Sequence, residues 1–533
     1  MSPTFRTLLP ALPAILVAVV AGSVRADWRT ASGWMQLIEE LGGAMPDGTG
    51  VVVMQAEASS ATAAPFDYLP QAGGPDAFQG TGIYAGQTFH PESGQGTLLN
   101  HANSVASRFY SSGGSIAPGI GEVFMYTAND FANDVFNNEP PPSFPPGSPA
   151  KVQNHSWVGT FKTPENPSPA NDEKMLRKFD YILNRDNVLA SVGLRNDSIM
   201  AELLGNYYNG LTAGLLNGIH SRGGTIIDGA GRMKPDLVAD EGQTSYSTPA
   251  AASACALMVD AARRLGTANA DDMRVIKALL IAAGSKANLP GWQRLTTAKP
   301  YDEVFGAGEL NVYHAWHMLN AGRQAYSNSV SVGARGWDFN KTSNSTPRRY
   351  FFTVPEGRFA DRLSVALTWN RDVTRRFSIS PVGWAYNSTL YNLDLRLRKA
   401  TGFAPGDEVD ASVSTVDNVE HVFQRNLPAG DYVLEVSANS NDRNYAIAWN
   451  AEIGPGPQLT VARDGTGVTV SAENLDPFVT YTLVSSPDMA GETVETTFRT
   501  VDTAASTTWT WTDDETPVPD RKFYWLRWLV GGE

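Results

Sequence analysis

The stretch that decides the fold of this chain is Gln243-Thr244-Ser245-Tyr246-Ser247-Thr248-Pro249, which is followed by a run of small residues, mostly alanine, to Met258. The run predicts a helix that packs tightly inside a domain. A proline suits the first turn of a helix, because its missing N–H would be unpaired there. Free backbone N–H groups and the helix dipole favour negative charge at that end. Ser245 is therefore a candidate nucleophile, although a serine at a helix start is more often a simple cap.

Length and composition set limits on the class of protein. The 533 residues are too many for one hydrophobic core, so several domains are expected, and 49 glycines with 33 prolines indicate a turn-rich globular chain. A net charge of -14 argues against nucleic acid or an anionic membrane as a partner, because both are bound by basic surfaces. The same charge also fits a soluble extracellular surface. Cys255 is the single cysteine, so no intrachain disulfide can form, and its apolar helix predicts a buried structural thiol.

Residues 1–26 are typical of a secretory signal. A basic start precedes a mostly apolar run at residues 8–20, and Ala26 ends a small-residue cleavage pattern. The apolar run is short for a membrane span and is interrupted by two prolines. We expect the mature chain to begin near Asp27 in a secreted or periplasmic protein, with no transmembrane segment after signal removal.

The apolar run from Gly50 to Glu57 predicts a central strand of a parallel sheet, buried on both faces. Open α/β sheets bind ligands at the carboxyl ends of their strands, where Glu57 would lie. The plain interpretation of such a carboxylate is an ion pair at a strand end. Gln55 lies two residues earlier and is the alternative to Glu57, but its neutral amide would stabilise a positively charged histidine ring (an imidazolium) poorly.

A second polar candidate follows a Gly/Ser loop. Asn100 is predicted to cap a helix that begins at His101, with Val105 and Phe109 on the same face as the histidine. A lone histidine is usually structural. Of the other six, His314, His317 and His421 lie in later segments, and His90, His155 and His220 lack a helix-start context. His101 is therefore the histidine to compare with known motifs.

Together these segments resemble the motifs of subtilisin-like serine proteases, the subtilases (peptidase family S8). The Thr-Ser-x-Ser-x-Pro pattern around Ser245 resembles the family's nucleophile segment, and residues 231–239 resemble the strand that precedes it. The helix at His101 matches the histidine segment in part. The resemblance spans roughly residues 48–322. It implies a subtilisin-like α/β parallel sheet with helices on both faces, and a serine endopeptidase that works through an acyl-enzyme.

The resemblance also implies roles for single residues. Ser245 would be the nucleophile and His101 the general base, and Glu57 stands where the family has its triad aspartate. The acid–His–Ser order along the chain is that of subtilisin. Asn196 is the candidate oxyanion donor, displaced by two residues from the family's asparagine. Residues 151–159 resemble the strand that lines the substrate cleft.

Several features depart from the family pattern. Glu57 replaces an aspartate, the neighbours of His101 are changed, and Asn196 is displaced. About twenty residues, which include the predicted helix at Ala31–Leu41, lie between the expected mature start and the first strand, too few for the inhibitory pro-domain of many subtilases. These departures keep open a second hypothesis, a catalytically impaired protein of the same fold that binds peptides or cell-surface material. The first hypothesis predicts protein or peptide substrates, and the oligomeric state stays open.

Beyond about residue 330 the chain changes to short alternating runs and turns, which predict a β-sandwich. These runs resemble the β-barrel or jelly-roll domain that follows the catalytic domain in some bacterial subtilases. A Gly-Pro-Gly-Pro linker begins at Gly454. The expected domains are a signal peptide at 1–26, a catalytic domain at 27–329, a β-sandwich or jelly-roll at 330–453 and a small β domain at 454–533.

No cofactor is required by these patterns. Gly306-x-Gly308 lacks the third glycine and the βαβ unit of a dinucleotide site. Asp394, Asp417 and Glu420 could suggest structural calcium, but their spacing is no metal signature, and solvated strand ends are the expected alternative.

Overall fold

The computed structural model describes the following residues: 27–160, 169–198, 203–223, 227–229, 231–289, 291–379, 382–464, 467–476, 479–486, 507–513 and 522–528. The predicted signal at 1–26 lies outside them. The described residues form eight α-helices: α1 (Trp28–Ala31), α2 (Trp34–Leu41), α3 (Asn100–Phe109), α4 (Ala128–Asn137), α5 (Ala170–Asp186), α6 (Thr244–Leu265), α7 (Met273–Ala283) and α8 (Val312–Asn320). None of these helices has the combined length and apolar character needed to cross a bilayer.

The strands of the described residues fall into two groups. The first group belongs to the N-terminal part: β1 (Val53–Glu57), β2 (Phe66–Leu69), β3 (Phe78–Gln79), β4 (Thr88–Pro91), β5 (Gly96–Leu98), β6 (Glu122–Thr127), β7 (Val152–His155), β8 (Leu189–Gly193), β9 (Leu211–Leu215) and β10 (Leu237–Ala239). The second group follows α8: β11 (Arg335–Lys341), β12 (Arg348–Val354), β13 (Phe359–Trp369), β14 (Asp372–Ile379), β15 (Val382–Thr389), β16 (Leu393–Thr401), β17 (Ala404–Ser412), β18 (Val419–Leu427), β19 (Gly430–Ala438), β20 (Asn444–Gly454), β21 (Gln458–Asp464), β22 (Gly467–Glu473), β23 (Thr482–Ser486), β24 (Trp509–Asp513) and β25 (Phe523–Arg527).

The N-terminal part is built on one mostly parallel sheet of eight strands, in the order β10-β9-β8-β7-β1-β6-β4-β3. Strand β1 is buried along its whole length and pairs in parallel with β6 on one side and β7 on the other. The chain therefore changes direction across the sheet at β1, the kind of position where open α/β sheets bind ligands. Helix α6 packs against β7, β8, β9 and α3.

The C-terminal part is antiparallel. Sheets β11-β20-β13-β18 and β12-β19-β16-β17 enclose an apolar core that includes Trp369, Tyr445 and Trp449. Smaller sheets, β21-β22-β24 and β23-β25, follow after the turn at Gly454–Pro457. The predicted fold class, a parallel α/β sheet flanked by helices and followed by all-β units, is confirmed.

The sandwich and the α/β unit share hydrophobic core. Trp337, Ala366, Val419 and Ala446 of the sandwich belong to the same buried cluster as the central sheet. Helix α7 makes this contact, because it packs against β13 and β20. The two units are therefore joined by packing as well as by the chain.

The single helix predicted at Ala31–Leu41 is wrong in its start. Helices α1 and α2 are separated by Gly33, whose φ of +75° lies in the left-handed region. A Cβ at this position would lie 2.7 Å from Tyr313 Cβ, so glycine also permits the close approach of α8. The spacing of apolar residues predicted a helix here, but it did not predict that Gly33 would interrupt it.

The Asn/Gly-rich composition of Tyr207–Gly224 predicts a loop, and this prediction is wrong because the interval contains β9. This strand is buried at every position, yet it holds Ala213 and Gly214, which have a weak strand signal. The strand predicted at 231–239, in contrast, is shorter than predicted, because only Leu237–Ala239 form a strand, β10.

Two helix starts also differ from prediction. Helix α6 begins at Thr244, so Pro249 is its sixth residue and not a first-turn residue. Pro249 lacks the N–H that the Ser245 carbonyl would otherwise receive in the helix. Helix α3 begins at Asn100, its N-cap is Leu99, and no side chain caps it, so the predicted Asn100 cap is wrong.

Candidate active site

Glu57 and His101 form the centre of the site. Glu57 is the last residue of β1 and is completely buried, whereas His101 is in the first turn of α3. A hydrogen bond of 2.7 Å joins His101 Nδ1 to Glu57 Oε2. The His101 side chain remains 36% exposed, so the pair is enclosed on the carboxylate side and open on the imidazole side. Glu57, and not the alternative Gln55, contacts the histidine.

Burial and hydrogen bonding act on this pair in opposite directions. Burial raises the pKa of Glu57, and hydrogen bonds from His101 and Gln55 oppose that rise. The hydrogen bond to Glu57 raises the pKa of His101. An ionised Glu57 thus stabilises an imidazolium at His101, which is the state a general base reaches after it takes a proton.

Helix α3 is held against the start of α6 by Arg108. Its Nε donates to Glu241 Oε1 over 2.6 Å, and its Nη2 donates to Glu241 Oε2 over 3.2 Å. The guanidinium carbon also lies 4.0 Å from the ring centroid of Tyr246, next in the chain to Ser245. Arg108 is seven residues after His101 and therefore on the same face of α3. The helix with the histidine and the helix with Ser245 are thus fixed side by side.

The N-terminus of α6 leaves one backbone donor open, at Ser245. Thr244 N donates to Asn196 Oδ1, and the N–H groups of Tyr246 and Ser247 both donate to the Gln243 carbonyl. Within the described residues, the Ser245 N–H has no acceptor. An open N–H at a helix start, next to the Ser245 hydroxyl, is suited to an anion at this position.

Asn196 lies beside this open donor. Its Oδ1 accepts from Thr244 N over 2.8 Å and from Thr244 Oγ1 over 3.1 Å. A backbone N–H can only donate, so the amide atom that faces it must be oxygen, and this fixes the amide orientation. The second polar atom of this amide is Nδ2, a donor. Within the part of the chain that the structure describes, Asn196 Nδ2 has no hydrogen-bond acceptor.

Asn196 and Ser245 line one cavity of about 320 Å³. Its walls are Ser156–Val158 after β7, Gly193–Asp197 after β8, and Thr244 with Ser245 on α6. These segments follow the carboxyl ends of neighbouring parallel strands. The segment at residues 151–159 therefore supplies a wall of the cavity, on the side where the sequence placed a substrate cleft.

Two of the four predicted site residues, Glu57 and His101, are in contact, and the other two, Asn196 and Ser245, line one cavity. Helices α3 and α6, which carry His101 and Ser245, pack against each other. Among the described residues, no hydrogen bond joins the Ser245 hydroxyl to His101. Catalytic hydrogen bonds are often long in a free enzyme and shorten when substrate binds.

Sequence reasoning gave no role to Arg108 or to Tyr110, whose hydroxyl donates to Gln55 Oε1, and it weighed Gln55 only as an alternative to Glu57. The available signal for Gln55 was an amide inside an apolar strand, two residues before Glu57 and so on the same face. The contacts of Arg108 and Tyr110 depend on residues distant in the chain and had no local signal.

The sequence singled out four further residues: Cys255, Asp394, Asp417 and Glu420. Cys255 is buried in α6, and burial raises the pKa of its thiol. Asp394 accepts from Arg396, Asp417 from the Met233 backbone, and Glu420 from Ser412. The expectation of solvated strand ends is wrong for Asp417 and Glu420, because both side chains are buried. No group of three or more His, Cys, Asp or Glu residues in the described ranges has the arrangement of a metal site.

No protein-family model matches the sequence, and no curated protein sequence matches it significantly. Among solved structures, the serine protease of Aeromonas sobria aligns with 12% identity over 80% of this chain and 84% of that chain, with a TM-score of 0.32. The epidermin leader peptide processing serine protease EpiP from Staphylococcus aureus aligns with 13% identity over 56% of this chain and 83% of that chain, with a TM-score of 0.35. The prenylagaramide maturation protease PagA gives 15% identity over 54% and 98%, with a TM-score of 0.34. These similarities are too low to assign a family or an activity to the chain.

Proposed function

We propose that this protein is an exported serine endopeptidase that hydrolyses peptide bonds with Glu57, His101 and Ser245 as its triad. The observation that carries the proposal is the 2.7 Å hydrogen bond from His101 Nδ1 to the buried Glu57 carboxylate. An acid that orients a histidine, on a helix packed beside a serine-bearing helix start, is the arrangement that activates a serine nucleophile.

The chemistry assigned to these residues is acyl transfer. Ser245 Oγ attacks the carbonyl carbon of the scissile bond while His101 Nε2 takes its proton, and Glu57 stabilises the imidazolium. The negative oxygen of the tetrahedral intermediate accepts hydrogen bonds from the Ser245 N–H and from Asn196 Nδ2. His101 then gives the proton to the leaving amine, which leaves an acyl group on Ser245. Water, deprotonated by His101, hydrolyses this ester.

The test is cleavage of an unfolded protein substrate by the full-length chain and two serine variants. Ser245→Ala should abolish cleavage because it removes the attacking oxygen. The matched control is Ser247→Ala, two residues along the same helix, where the buried hydroxyl donates only to the carbonyls of Ala213 and Thr244. Undiminished cleavage by Ser245→Ala, with the control also active, would overturn the proposal.

A second candidate function is peptide binding without turnover. It is favoured by the missing hydrogen bond between Ser245 and His101 in the described structure, together with the changed acid. In that case the wild-type protein would bind peptides without cleaving them, and Ser245→Ala would bind them equally well. Product formation by the wild type separates the two candidates.

Export is the remaining part of the proposal. The apolar start and the small-residue pattern ending at Ala26 support removal of a signal. Protein recovered outside the cytoplasm should begin at or near Asp27. An intact Met1 on that protein would contradict the proposed route.

A further inference from the structure

We infer that Gln55 is a positioning residue of this site: its buried amide holds the Glu57 carboxylate toward His101, and Tyr110 holds the amide. The inference rests on the proposed function, because positioning matters only if Glu57 serves His101. It adds to the triad a second layer of two residues that lie behind the acid. Glu57 itself would still contact the histidine directly.

The contacts form a continuous buried chain. Gln55 Nε2 donates to Glu57 Oε1 over 2.8 Å and to the Ala102 carbonyl over 3.1 Å. The Tyr110 hydroxyl donates to Gln55 Oε1 over 2.7 Å. Gln55, Glu57 and Tyr110 are all 0% exposed. Each carboxylate oxygen of Glu57 thus has its own partner, His101 on Oε2 and Gln55 on Oε1.

The chemistry of the neighbours fixes the orientation of the Gln55 amide. The Ala102 carbonyl can only accept, and an ionised Glu57 can only accept, so both must face the NH₂ group. The amide oxygen then faces Tyr110, whose hydroxyl can donate to it. A flipped amide would place two oxygens against each other in a buried site, with the cost of unsatisfied polar groups.

The length of the Glu57 side chain explains why a positioning residue is needed. A glutamate has one more torsion than an aspartate between its backbone and its carboxylate, so a single hydrogen bond to His101 leaves more rotational freedom. Gln55 lies two residues before Glu57 in β1 and on the same face of the strand. A glutamine at this place can reach the second carboxylate oxygen and remove that freedom.

The same contact stabilises the charge of Glu57. Burial raises the pKa of this carboxyl group, while hydrogen bonds from His101 and Gln55 lower it. The titratable groups that face it are His101 directly and Tyr110 through Gln55, and burial raises the pKa of Tyr110 well above its ordinary value. Loss of the Gln55 donor should therefore make Glu57 harder to ionise.

The experiment compares Gln55→Met with the matched control Gln424→Met. Methionine keeps the length of glutamine and suits a buried site, but it cannot donate to Glu57. Gln424 is a buried glutamine on β18 of the sandwich, and its Nε2 donates to the Asp410 carboxylate over 2.7 Å. We measure kcat, KM and the pH dependence of kcat/KM, together with the proton NMR resonance of the His101 Nδ1–H.

For Gln55→Met we expect kcat to fall about 10–100-fold, by analogy with the loss of residues that orient metal ligands, with KM unchanged. The active form needs Glu57 ionised and His101 neutral, so a carboxylate that is harder to ionise moves the acid limb of kcat/KM to higher pH. The Nδ1–H resonance should shift or broaden. The control should match the wild type in all of these readouts.

Tyr110→Phe is the second variant and keeps the test valid if Gln55→Met does not fold. It removes one hydroxyl and should shift the same readouts in the same direction by less. An unchanged acid limb and an unchanged Nδ1–H resonance in a folded variant would overturn the inference. If the wild type lacks peptidase activity, the proposed function fails, but the NMR comparison still decides whether Gln55 governs the Glu57–His101 pair.

Discussion

Two charge centres of this molecule differ in exposure: the open centre, Glu57 with His101, and the enclosed centre, Arg371 with Asp180 and Asp228. Glu57 and His101 lie at the carboxyl end of β1, with the carboxylate fully buried and the imidazole 36% exposed. Arg371, between β13 and β14 of the sandwich, lies between Asp180 and Asp228 of the α/β unit at 2.5 Å from each carboxylate. All three of these side chains are 4% exposed or less.

The difference fits the proposed function, in which the Glu57–His101 centre reacts and the Arg371 centre supports the structure. Asp180 also accepts from the backbone N–H groups of Tyr208 and Asn209, and the Arg371 guanidinium stacks 4.2 Å from the Tyr208 ring centroid. These charges are enclosed by partners, and their contacts join two structural units. The imidazole of His101, in contrast, is bound to Glu57 through Nδ1, and in the proposed mechanism its Nε2 takes the proton of Ser245.

The largest expected effect comes from changing the open centre. Glu57→Gln keeps the shape of the acid but removes the charge that stabilises the imidazolium. We expect kcat to fall by about 10⁴, as for the same acid-to-amide change in chymotrypsin-type enzymes, with KM nearly unchanged. Steady-state kinetics on a peptide substrate measure both constants.

Glu57→Asp is the matched variant, because it keeps the charge and shortens the reach. It should retain measurable turnover. Near-normal kcat in Glu57→Gln, or a crystal structure with another carboxylate on His101, would contradict the role of Glu57.

The next largest effect should fall on stability and come from the enclosed centre. Arg371→Met leaves Asp180 buried without its cation and leaves Asp228 with Arg177 alone, which should lower the free energy of unfolding by about 3–5 kcal/mol. Turnover per folded molecule should stay unchanged. Chemical denaturation and active-site titration provide the two readings.

Arg396→Met is the control for that comparison, because Arg396 pairs with the half-exposed Glu408 in the sandwich. Its loss should cost less than about 1 kcal/mol. Equal losses in the free energy of unfolding for the two arginine variants would show that burial of the Arg371 centre does not make its ion pairs more important for stability.

A smaller effect is expected where the open centre meets its nucleophile. Arg108→Met removes the contacts to Glu241 and to the Tyr246 ring, so the spacing of α3 and α6 is no longer fixed. A shift of about 1 Å can cost up to 10²-fold in rate, and we expect kcat to fall by about tenfold or somewhat more.

Arg108→Lys should restore part of this loss, because lysine keeps the charge but cannot form the two-pronged contact. Arg263→Met, at the far end of α6 in an exposed pair with Asp271, should behave like the wild type. A normal kcat in Arg108→Met would show that α3 and α6 hold their spacing without this clamp.

Local patterns predicted the parts of this comparison that depend on neighbours in sequence. The apolar run into Glu57, the helix at His101 and the serine at the start of α6 are local signals; in the structure Glu57 contacts His101, and Ser245 lines the cavity beyond β7 and β8. The centre at Arg371 was not predictable, because its partner Asp180 is 191 residues away. Strand β9 was missed because its small residues gain their strand conformation from burial between neighbours.

The central claim about the open centre is that His101 and Glu57 activate Ser245. An activity-based phosphonate probe, followed by peptide mapping with mass spectrometry, tests it most directly because the probe reacts only with an activated serine. We predict a single adduct on Ser245 in the wild type, and no adduct in Ser245→Ala or in His101→Ala. An adduct that persists in either variant, or that maps to another serine, would contradict the claim.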